Sequence, residues 1–168
     1  MFEGFIALGG TINIVLQTRV GDLPTQADAL PFFRIYSPSG LLASGGGQSA
    51  QLQTGPITGA TNANPIVITS AGHSLVTGMR VTITGVLGNT NANTTAVVTV
   101  IDANTFSIPV AGNAAYTSGG TWAATGLYNL AVSATALNGF VQGETFTAVA
   151  TYQISGNSYS QVFSFGVV

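Results

Sequence analysis

The chain has 168 residues, of which only eight are charged: three Arg, no Lys and five acids. Charged residues are 5% of the chain, against about 25% in an ordinary globular domain, and three cations cannot form the basic face that nucleic-acid binding requires. The absence of Lys and Cys also excludes a Walker A lysine, a Schiff-base lysine, a disulfide framework and a thiolate metal site.

Residues 1–10 form a short apolar arm. This segment lacks the cationic start and long apolar stretch of a signal peptide, and no run of 18 apolar residues predicts a membrane span anywhere in the chain. We therefore expect a protein made inside the cell that does not bind membranes. The side chains of Phe2, Phe5, Ile6 and Leu8 are expected either to cover the chain's own core or to dock on a partner, because exposed aromatic residues near a terminus are otherwise costly.

Strand patterns follow the arm. Residues 11–19 alternate, with Ile12, Ile14 and Leu16 on one face, and residues 32–36 (FFRIY) form a second strand. Ser37-Pro38-Ser39-Gly40 then predicts a turn.

A hairpin is predicted around residues 43–47, leading into a strand at 48–54. The three glycines at 45–47 are not a phosphate-binding loop, because no Lys follows and no helix pattern begins there.

Arg19 and Arg34 lie on strands predicted to be neighbours. They are expected to pair with acids, for which the candidates are Asp22, Asp28 and Glu144. Exposed ion pairs contribute little energy, but in a chain with so few charges they can orient a partner surface.

Residues 55–123 differ in composition from the rest of the chain. They are rich in Thr and Asn and carry only Arg80 and Asp102, so that their net charge is zero. Turn sequences separate four predicted strands, at 65–70, 79–85, 94–101 and 105–110. Short strands at this spacing are typical of a small barrel or sandwich.

The last part of the chain has the clearest alternation. Strands are predicted at 127–134, 144–154 and 159–168, with a turn at 155–158 between the last two. Neither outer piece has enough strands to close a core alone. We therefore predict an all-β protein in which residues 1–55 and 124–168 form one β-sandwich and residues 56–123 an inserted small β-barrel.

The insertion also carries a resemblance. Residues 57–85 (ITGATNANPIVITSAGHSLVTGMRVTITG), then 102–106 (DANTF) and 116–122 (YTSGGTW), resemble a module of bacteriophage virion proteins. Such modules are likened in fold to the first catalytic cysteine half-domain of ubiquitin-activating enzymes, a small β-barrel. This chain has no Cys, so the resemblance implies fold and no ubiquitin chemistry. The outer half, with Gly126-Leu127-Tyr128 and the paired final strands, resembles the immunoglobulin-like domains of phage capsids and tails.

The resemblance implies a non-enzymatic structural protein of the virion, assembled in the host cytoplasm. We expect a head decoration (cement) protein that binds the major capsid protein lattice, or other virion proteins, and stabilises the capsid. We also expect a homo-oligomer, for which a trimer would suit three-fold capsid sites. The alternative is a tail or fibre adhesion module with an exposed aromatic surface near Tyr116 or Trp122 that binds host glycans.

Candidate catalytic and metal-binding residues are few. His73 is the only histidine and lies in a predicted turn, where a structural role is favoured over catalysis. The acids are scattered, so a glycosidase pair would have to assemble from distant strands. A Ca²⁺ site at Asp22 and Asp28 is the alternative to a solvated loop, which we favour. We therefore expect no enzymatic activity, no cofactor and no metal.

Overall fold

The computed structural model describes residues 2–41 and 47–168, with side chains for 4–40 and 47–168. Within these ranges the only helices are single 3₁₀ turns at Thr90–Ala92 and Ala136–Asn138, and neither has the length of a membrane-spanning helix. The protein is all-β, as the alternating pattern predicts. The hairpin predicted around residues 43–47 falls mostly outside the described residues.

The described residues contain seventeen strands. The first eight are β1 (Phe2–Ile6), β2 (Thr11–Gln17), β3 (Arg19–Val20), β4 (Leu23–Pro24), β5 (Phe32–Ser37), β6 (Gly40–Leu41), β7 (Gly47–Ser49) and β8 (Gln51–Pro56). The next six are β9 (Gly59–Ala60), β10 (Ile66–Thr69), β11 (Arg80–Thr84), β12 (Thr95–Val97), β13 (Thr99–Val100) and β14 (Thr105–Ile108). The last three are β15 (Thr121–Ser133), β16 (Thr145–Ile154) and β17 (Asn157–Val167).

The chain divides into two compact units. The first consists of Met1–Leu52 with Gly126–Val168, and the second of Gln53–Thr125. The sequence placed these divisions at 55/56 and 123/124, two to three residues away. Strand β15 is longer than the predicted strand 127–134, and the second division falls inside it.

The first unit is built on a sheet of order β1-β17-β16-β5-β6, with β7 also paired to β5. Strand β1 runs parallel to β17, whereas β16 pairs antiparallel with both β17 and β5. Elsewhere in this unit β2 pairs with residues 127–133 of β15. The alternation holds: Ile14 and Leu16 of β2, and Phe163 and Phe165 of β17, are buried in one apolar cluster.

The second unit has two groups of strands. Strands β13, β14, β10 and β9 form one sheet in that order, and β11 pairs with β12 and with residues 121–124 of β15. The single strand predicted at 94–101 is divided, because β12 pairs with β11 whereas β13 pairs with β14. Between them Val98 is buried, and its N–H donates to Met79 O while its own carbonyl accepts from Gly78 N–H.

Gly126 begins the return of the chain into the first unit, and its conformation requires glycine. Its φ is +65°, and a Cβ atom there would lie 2.4 Å from Thr25 O and 2.7 Å from Thr18 Oγ1. The Gly126 carbonyl accepts from Thr18 N–H and from Gln17 Nε2, and its N–H donates to Gln26 Oε1. The backbone is therefore fixed here by close contacts that no side chain would allow.

Candidate functional site

The apolar arm is a paired strand whose side chains point in two directions. Ile6 is buried in the core of the first unit, whereas Phe5 is 71% exposed and Leu8 is 42% exposed. The ring of Phe5 lies over Gly166, where a Cβ atom would come within 2.6 Å of it. The side chain of Phe2 lies outside the described residues. Ile6 therefore covers the chain's own core, whereas Phe5 and Leu8 are exposed, and docking on a partner stays a prediction for these two residues.

Further exposed apolar side chains lie on segments that are hydrogen-bonded to the arm or to the strand beside it. Leu137 is 95% exposed, and Val141 and Val168 are each 52% exposed. The segments that carry them are joined by backbone hydrogen bonds, from Leu8 N–H to Val168 O (3.1 Å), from Gly9 N–H to Ala134 O (2.6 Å) and from Gly143 N–H to Val167 O (2.7 Å). We call Leu8, Leu137, Val141 and Val168 the apolar end of the first unit. Sequence patterns missed it, because Leu137 and Val141 lie between strands, where no periodicity marks a face.

The two arginines named from the sequence lie apart in the sheet order. Arg19 is exposed in β3, which pairs with β4, whereas Arg34 is exposed in β5, which pairs with β6, β7 and β16. The prediction that their strands are neighbours is wrong, because the short β3–β4 hairpin forms its own two-stranded ribbon. The Arg34 guanidinium lies 5.8 Å from the centre of the Phe32 ring, a cation–π contact.

Asp28, a proposed partner of these arginines, has a different role. Its two carboxylate oxygens accept hydrogen bonds from the N–H groups of Ser155 (2.9 Å) and Gly156 (2.8 Å). Both turn residues have positive φ, +50° and +76°, as in the type I′ turns that connect two-residue hairpins. Asp28 therefore stabilises the β16–β17 turn.

His73 is a structural residue of the second unit. It is 3% exposed, its Nδ1 accepts from Leu75 N–H (3.0 Å), and its Nε2 lies 3.0 Å from Asp102 O, to which it donates. The ring packs edge-on against Phe106 at 5.3 Å. A cavity of about 180 Å³ adjoins it, but both ring nitrogens are hydrogen-bonded within the fold. The structural interpretation of His73 is supported.

Asp102 closes a tight turn. Its Oδ1 accepts from Asn104 N–H at 2.8 Å, and this bond, followed by one from the Thr105 side chain, lowers the pKa of the Asp102 carboxyl. Among the residues with described side chains, no group of three or more His, Asp or Glu residues could hold a metal ion.

Trp122 does not form the exposed aromatic surface expected near Tyr116 or Trp122, and Tyr116 is partly buried. Trp122 is 2% exposed, packs edge-on against Phe106 at 6.4 Å, and donates its Nε1–H to Ser70 Oγ at 2.8 Å. Gly55 permits this placement, because a Cβ atom there would lie 2.7 Å from the indole. The Tyr116 hydroxyl lies 3.0 Å from the carbonyl oxygen of Ile57, to which it donates. Both aromatic residues serve the fold of the second unit.

Asparagine side chains take the place of backbone partners in the same unit. Buried Asn89 donates from Nδ2 to Thr61 O (2.8 Å) and accepts at Oδ1 from Asn113 N–H (3.1 Å). Asn93 bonds both the N–H and the carbonyl of Val86. The Asn-rich composition of this segment is thus explained by folding.

Sequence reasoning missed a cavity beside the β16–β17 hairpin. Its volume is about 570 Å³, and it is lined by Ala29, Leu30, Thr151, Tyr152, Gln153, Ser158, Tyr159 and Ser160. The rings of Tyr152 and Tyr159 are nearly parallel, at 14°, with centres 5.6 Å apart. Burial, and then the neighbouring Tyr159, raise the pKa of the Tyr152 hydroxyl.

Comparison with known proteins adds no identification. No protein-family model matches this sequence, and no curated protein matches it significantly.

Proposed function

We propose that this chain is a non-enzymatic structural protein of a bacteriophage virion, a head decoration protein that binds the major capsid protein lattice and stabilises the capsid. The observation that carries the proposal furthest is the apolar end of the first unit together with Phe5. A protein that docks on a large assembly buries exposed apolar side chains such as these against its partner.

The low charge of the chain supports the same conclusion. The four side chains that define the apolar end are uncharged, so that association through them depends on buried apolar area. Glu144 adjoins them, because its N–H donates to Val141 O (3.3 Å), and we expect salt to have a small effect through such a single carboxylate. A surface of Thr, Ser, Asn and Gln gives little repulsion between copies, which suits a permanent assembly. We propose a homo-oligomer, with a trimer as the form that suits three-fold capsid sites, which light scattering on the purified protein would test.

The strand arrangement supports the finer fold assignment on which this function rests. In the first unit, the apolar cluster is formed by inward-facing residues of β5, β16 and β17 together with those of β2 and β15, as in an immunoglobulin-like sandwich. In the second, the change of partner between β12 and β13 is the kind of corner by which a small barrel closes. We propose these two architectures for residues 1–55 with 124–168 and for 56–123.

The roles of the polar residues support a non-enzymatic protein. Asp28 binds a turn, Asp102 binds the backbone of its own loop, and both nitrogens of His73 are used within the fold. A catalytic group must be able to reach a substrate and exchange a proton with it, and these three groups are engaged in folding.

The test is the location and attachment of the protein. It should be seen on the outer surface of purified heads by electron microscopy, and purified protein should rebind heads that lack it with similar occupancy at low and high salt. Location on the tail, or attachment that high salt abolishes, would overturn the proposal.

Point variants test the surface more sharply than removal of residues 1–8, because that truncation also takes Ile6 from the core. Leu137→Ser should reduce affinity for heads about tenfold or more, since this side chain is 95% exposed and its loss leaves the fold intact. Leu23→Ser is the matched control: Leu23 is 71% exposed in the same unit, on the β3–β4 hairpin. Equal effects of the two variants would contradict a role for the apolar end.

A further inference from the structure

Strand β2 lies at the edge of its sheet, and it differs from the other edge strands. Natural edge strands are kept from pairing with other chains by short length, a bulge, Pro or charge. Among the described strands that pair on one side only, β3, β4, β6, β9 and β13 have two residues, and β7 and β12 have three. The pairing of β1 is irregular between Phe2 and Gly4, and β8 contains Gly55 and Pro56. Strand β2 has seven residues in unbroken register with β15, and none of them is Gly, Pro or charged.

The hydrogen bonds at the two ends of β2 show which way its backbone groups point. Ala134 N–H donates to Gly10 O (2.9 Å), and Thr18 N–H donates to Gly126 O (2.8 Å). Both pairs continue the register of the β2–β15 ladder. Because the direction of these groups alternates along an antiparallel ladder, the even-numbered residues of β2 bond to β15. The odd-numbered residues therefore direct their N–H and C=O groups away from β15, towards the open side of the strand.

Three of these odd-numbered residues form an open row of backbone groups. Within the part of the chain that the structure describes, no hydrogen bond reaches the outward groups of Thr11, Asn13 and Val15. All three residues are exposed, whereas Ile14 and Leu16 between and beside them are fully buried. Strand N–H and C=O groups are nearly always bonded, either to protein or to water. This row can therefore exchange water for the backbone of an added strand.

The strand that fits this row is a second copy of β2. If two copies run antiparallel about a two-fold axis at Asn13, Thr11 lies opposite Val15 of the second copy, and Ile12 lies opposite Ile14. Residues of the same face then meet, so that the apolar face of one strand continues the apolar face of the other. All the outward N–H and C=O groups of Thr11, Asn13 and Val15 are bonded in this register. Like charges would oppose the pairing of identical strands, and β2 has no charge.

We propose that β2 is a docking edge for a second copy of this chain, which adds its own β2 antiparallel and centred at Asn13. The contact is the same patch on both copies, so it forms a two-fold dimer. The proposal extends the homo-oligomer of the proposed function, and it sets a dimer against the trimer that three-fold sites would suit. It uses the strand edge and not the apolar end, so that self-pairing and attachment to heads succeed or fail separately.

Sedimentation equilibrium of the full-length protein tests the stoichiometry. We expect monomers and dimers in exchange, with a Kd on the order of micromolar, because an edge contact is smaller than a permanent interface. Val15→Pro should raise this Kd about tenfold or more, since Pro has no N–H to donate across the edge. The fold should survive, because Pro is tolerated on an edge strand where the N–H faces solvent. Val15→Thr, which keeps the N–H and the β-branched shape, is the matched control and should still form dimers.

A charge at the axis tests the register. Asn13→Lys places two like charges opposite each other and should abolish the dimer, and Asn13→Asp should do the same. Mixing the two variants should restore a dimer that contains one copy of each. If Val15→Pro loses its dispersed NMR spectrum, this pair of variants decides in its place.

Amide hydrogen exchange locates the contact. Exchange at Thr11, Asn13 and Val15 should slow as the protein concentration rises, because these N–H groups are bonded only in the dimer. Exchange at Ile12 and Ile14, which bond to β15 in each copy, should change less. This alternation along one strand is the signature of pairing at its edge.

Four results would overturn the proposal. They are a protein that stays monomeric at millimolar concentration, a trimer, a dimer whose formation leaves exchange at Asn13 and Val15 unchanged, and full dimerisation of both Val15→Pro and Asn13→Lys.

Discussion

The first unit buries one cluster of apolar side chains, whereas the second combines apolar burial with polar side chains that bond to backbone. Five phenylalanines lie in the cluster of the first unit. Four polar residues are buried among the described residues, and three of them, Ser70, His73 and Asn89, belong to the second unit. A chain with almost no charge can thus provide hydrogen-bond partners for its backbone N–H and C=O groups in two ways. Regular sheet pairing supplies them in the strands, and amide and imidazole side chains supply them in irregular segments.

The comparison predicts that the first unit is most sensitive to loss of apolar volume. Phe146→Ala should lower the free energy of unfolding by about 3–5 kcal/mol. Phe146 is fully buried, with ring centres 4.7 Å from Phe140 and 6.0 Å from Phe165, so that its removal leaves a cavity. Urea denaturation followed by tyrosine and tryptophan fluorescence measures the loss. Val162→Ala, an exposed truncation on β17, should cost less than about 0.5 kcal/mol. Similar losses in the two variants would contradict close packing around Phe146.

A second prediction concerns the backbone where the chain re-enters the first unit. Gly126→Ala should destabilise the protein by about 2–3 kcal/mol, because it places a Cβ atom against Thr25 O at a φ of +65°. Thermal unfolding measures the effect. Gly143→Ala is the control: its φ is +87° but a Cβ atom there meets nothing within 4 Å. The difference in stability between the two variants measures the cost of the close contact with Thr25 O, because both variants carry the strain of positive φ. Equal losses of stability would show that this contact is unimportant.

A third prediction tests the polar construction of the second unit. Asn89→Ala removes the partners of Thr61 O and Asn113 N–H, and should cost about 1–3 kcal/mol, since buried polar groups lose their bonds. Hydrogen exchange should speed up first at the amide of Asn113, whose N–H loses its acceptor. Asn13→Ala, an exposed asparagine on β2, serves as the control. If both variants retain full stability, the asparagine network does not hold this unit together.

The smallest predicted effect is a pH dependence in the second unit. Because the pKa of folded Asp102 is lowered from 3.8, the carboxylate stabilises the fold above its unfolded pKa. That contribution is lost as the pH falls through the lower folded value. Asp102→Asn should flatten this part of the acid unfolding curve, measured by circular dichroism between neutral pH and strong acid. An unchanged acid unfolding curve in this variant would show that Asp102 is not the source of the pH dependence.

The strands β2, β5 and β17 could be predicted because alternation survives along them, whereas two-residue strands such as β3, β4 and β9 are too short to show it. The parallel pairing of β1 with β17 could not be predicted, because it joins Phe2–Ile6 to residues 164–167 and nothing local specifies so distant a contact. The division of residues 94–101 was missed for a related reason: both pieces alternate continuously, and only their partners differ.

The cavity beside the β16–β17 hairpin shows how a small error in a turn hides a pair of neighbouring side chains. The sequence gives a turn at 155–158, but the turn residues are only Ser155 and Gly156, and β17 begins at Asn157. With a two-residue turn, the register places Tyr152 opposite Tyr159. A hairpin with Ser155 and Gly156 as its turn would therefore have predicted the pairing of the two tyrosines. The position of Ala29 and Leu30 beside the hairpin depends on tertiary contacts and could not be predicted in this way.

The interruption of the first unit by the second has a consequence for the order of folding. The strands of the second unit pair within residues 53–125, whereas β2 must wait for residues 127–133 and β1 for residues 164–167. On the ribosome, the inserted unit can therefore fold first, while apolar strands emerging ahead of it remain without their final partners. This predicts that the first unit, rather than the Asn-rich insertion, limits the yield of soluble protein during synthesis.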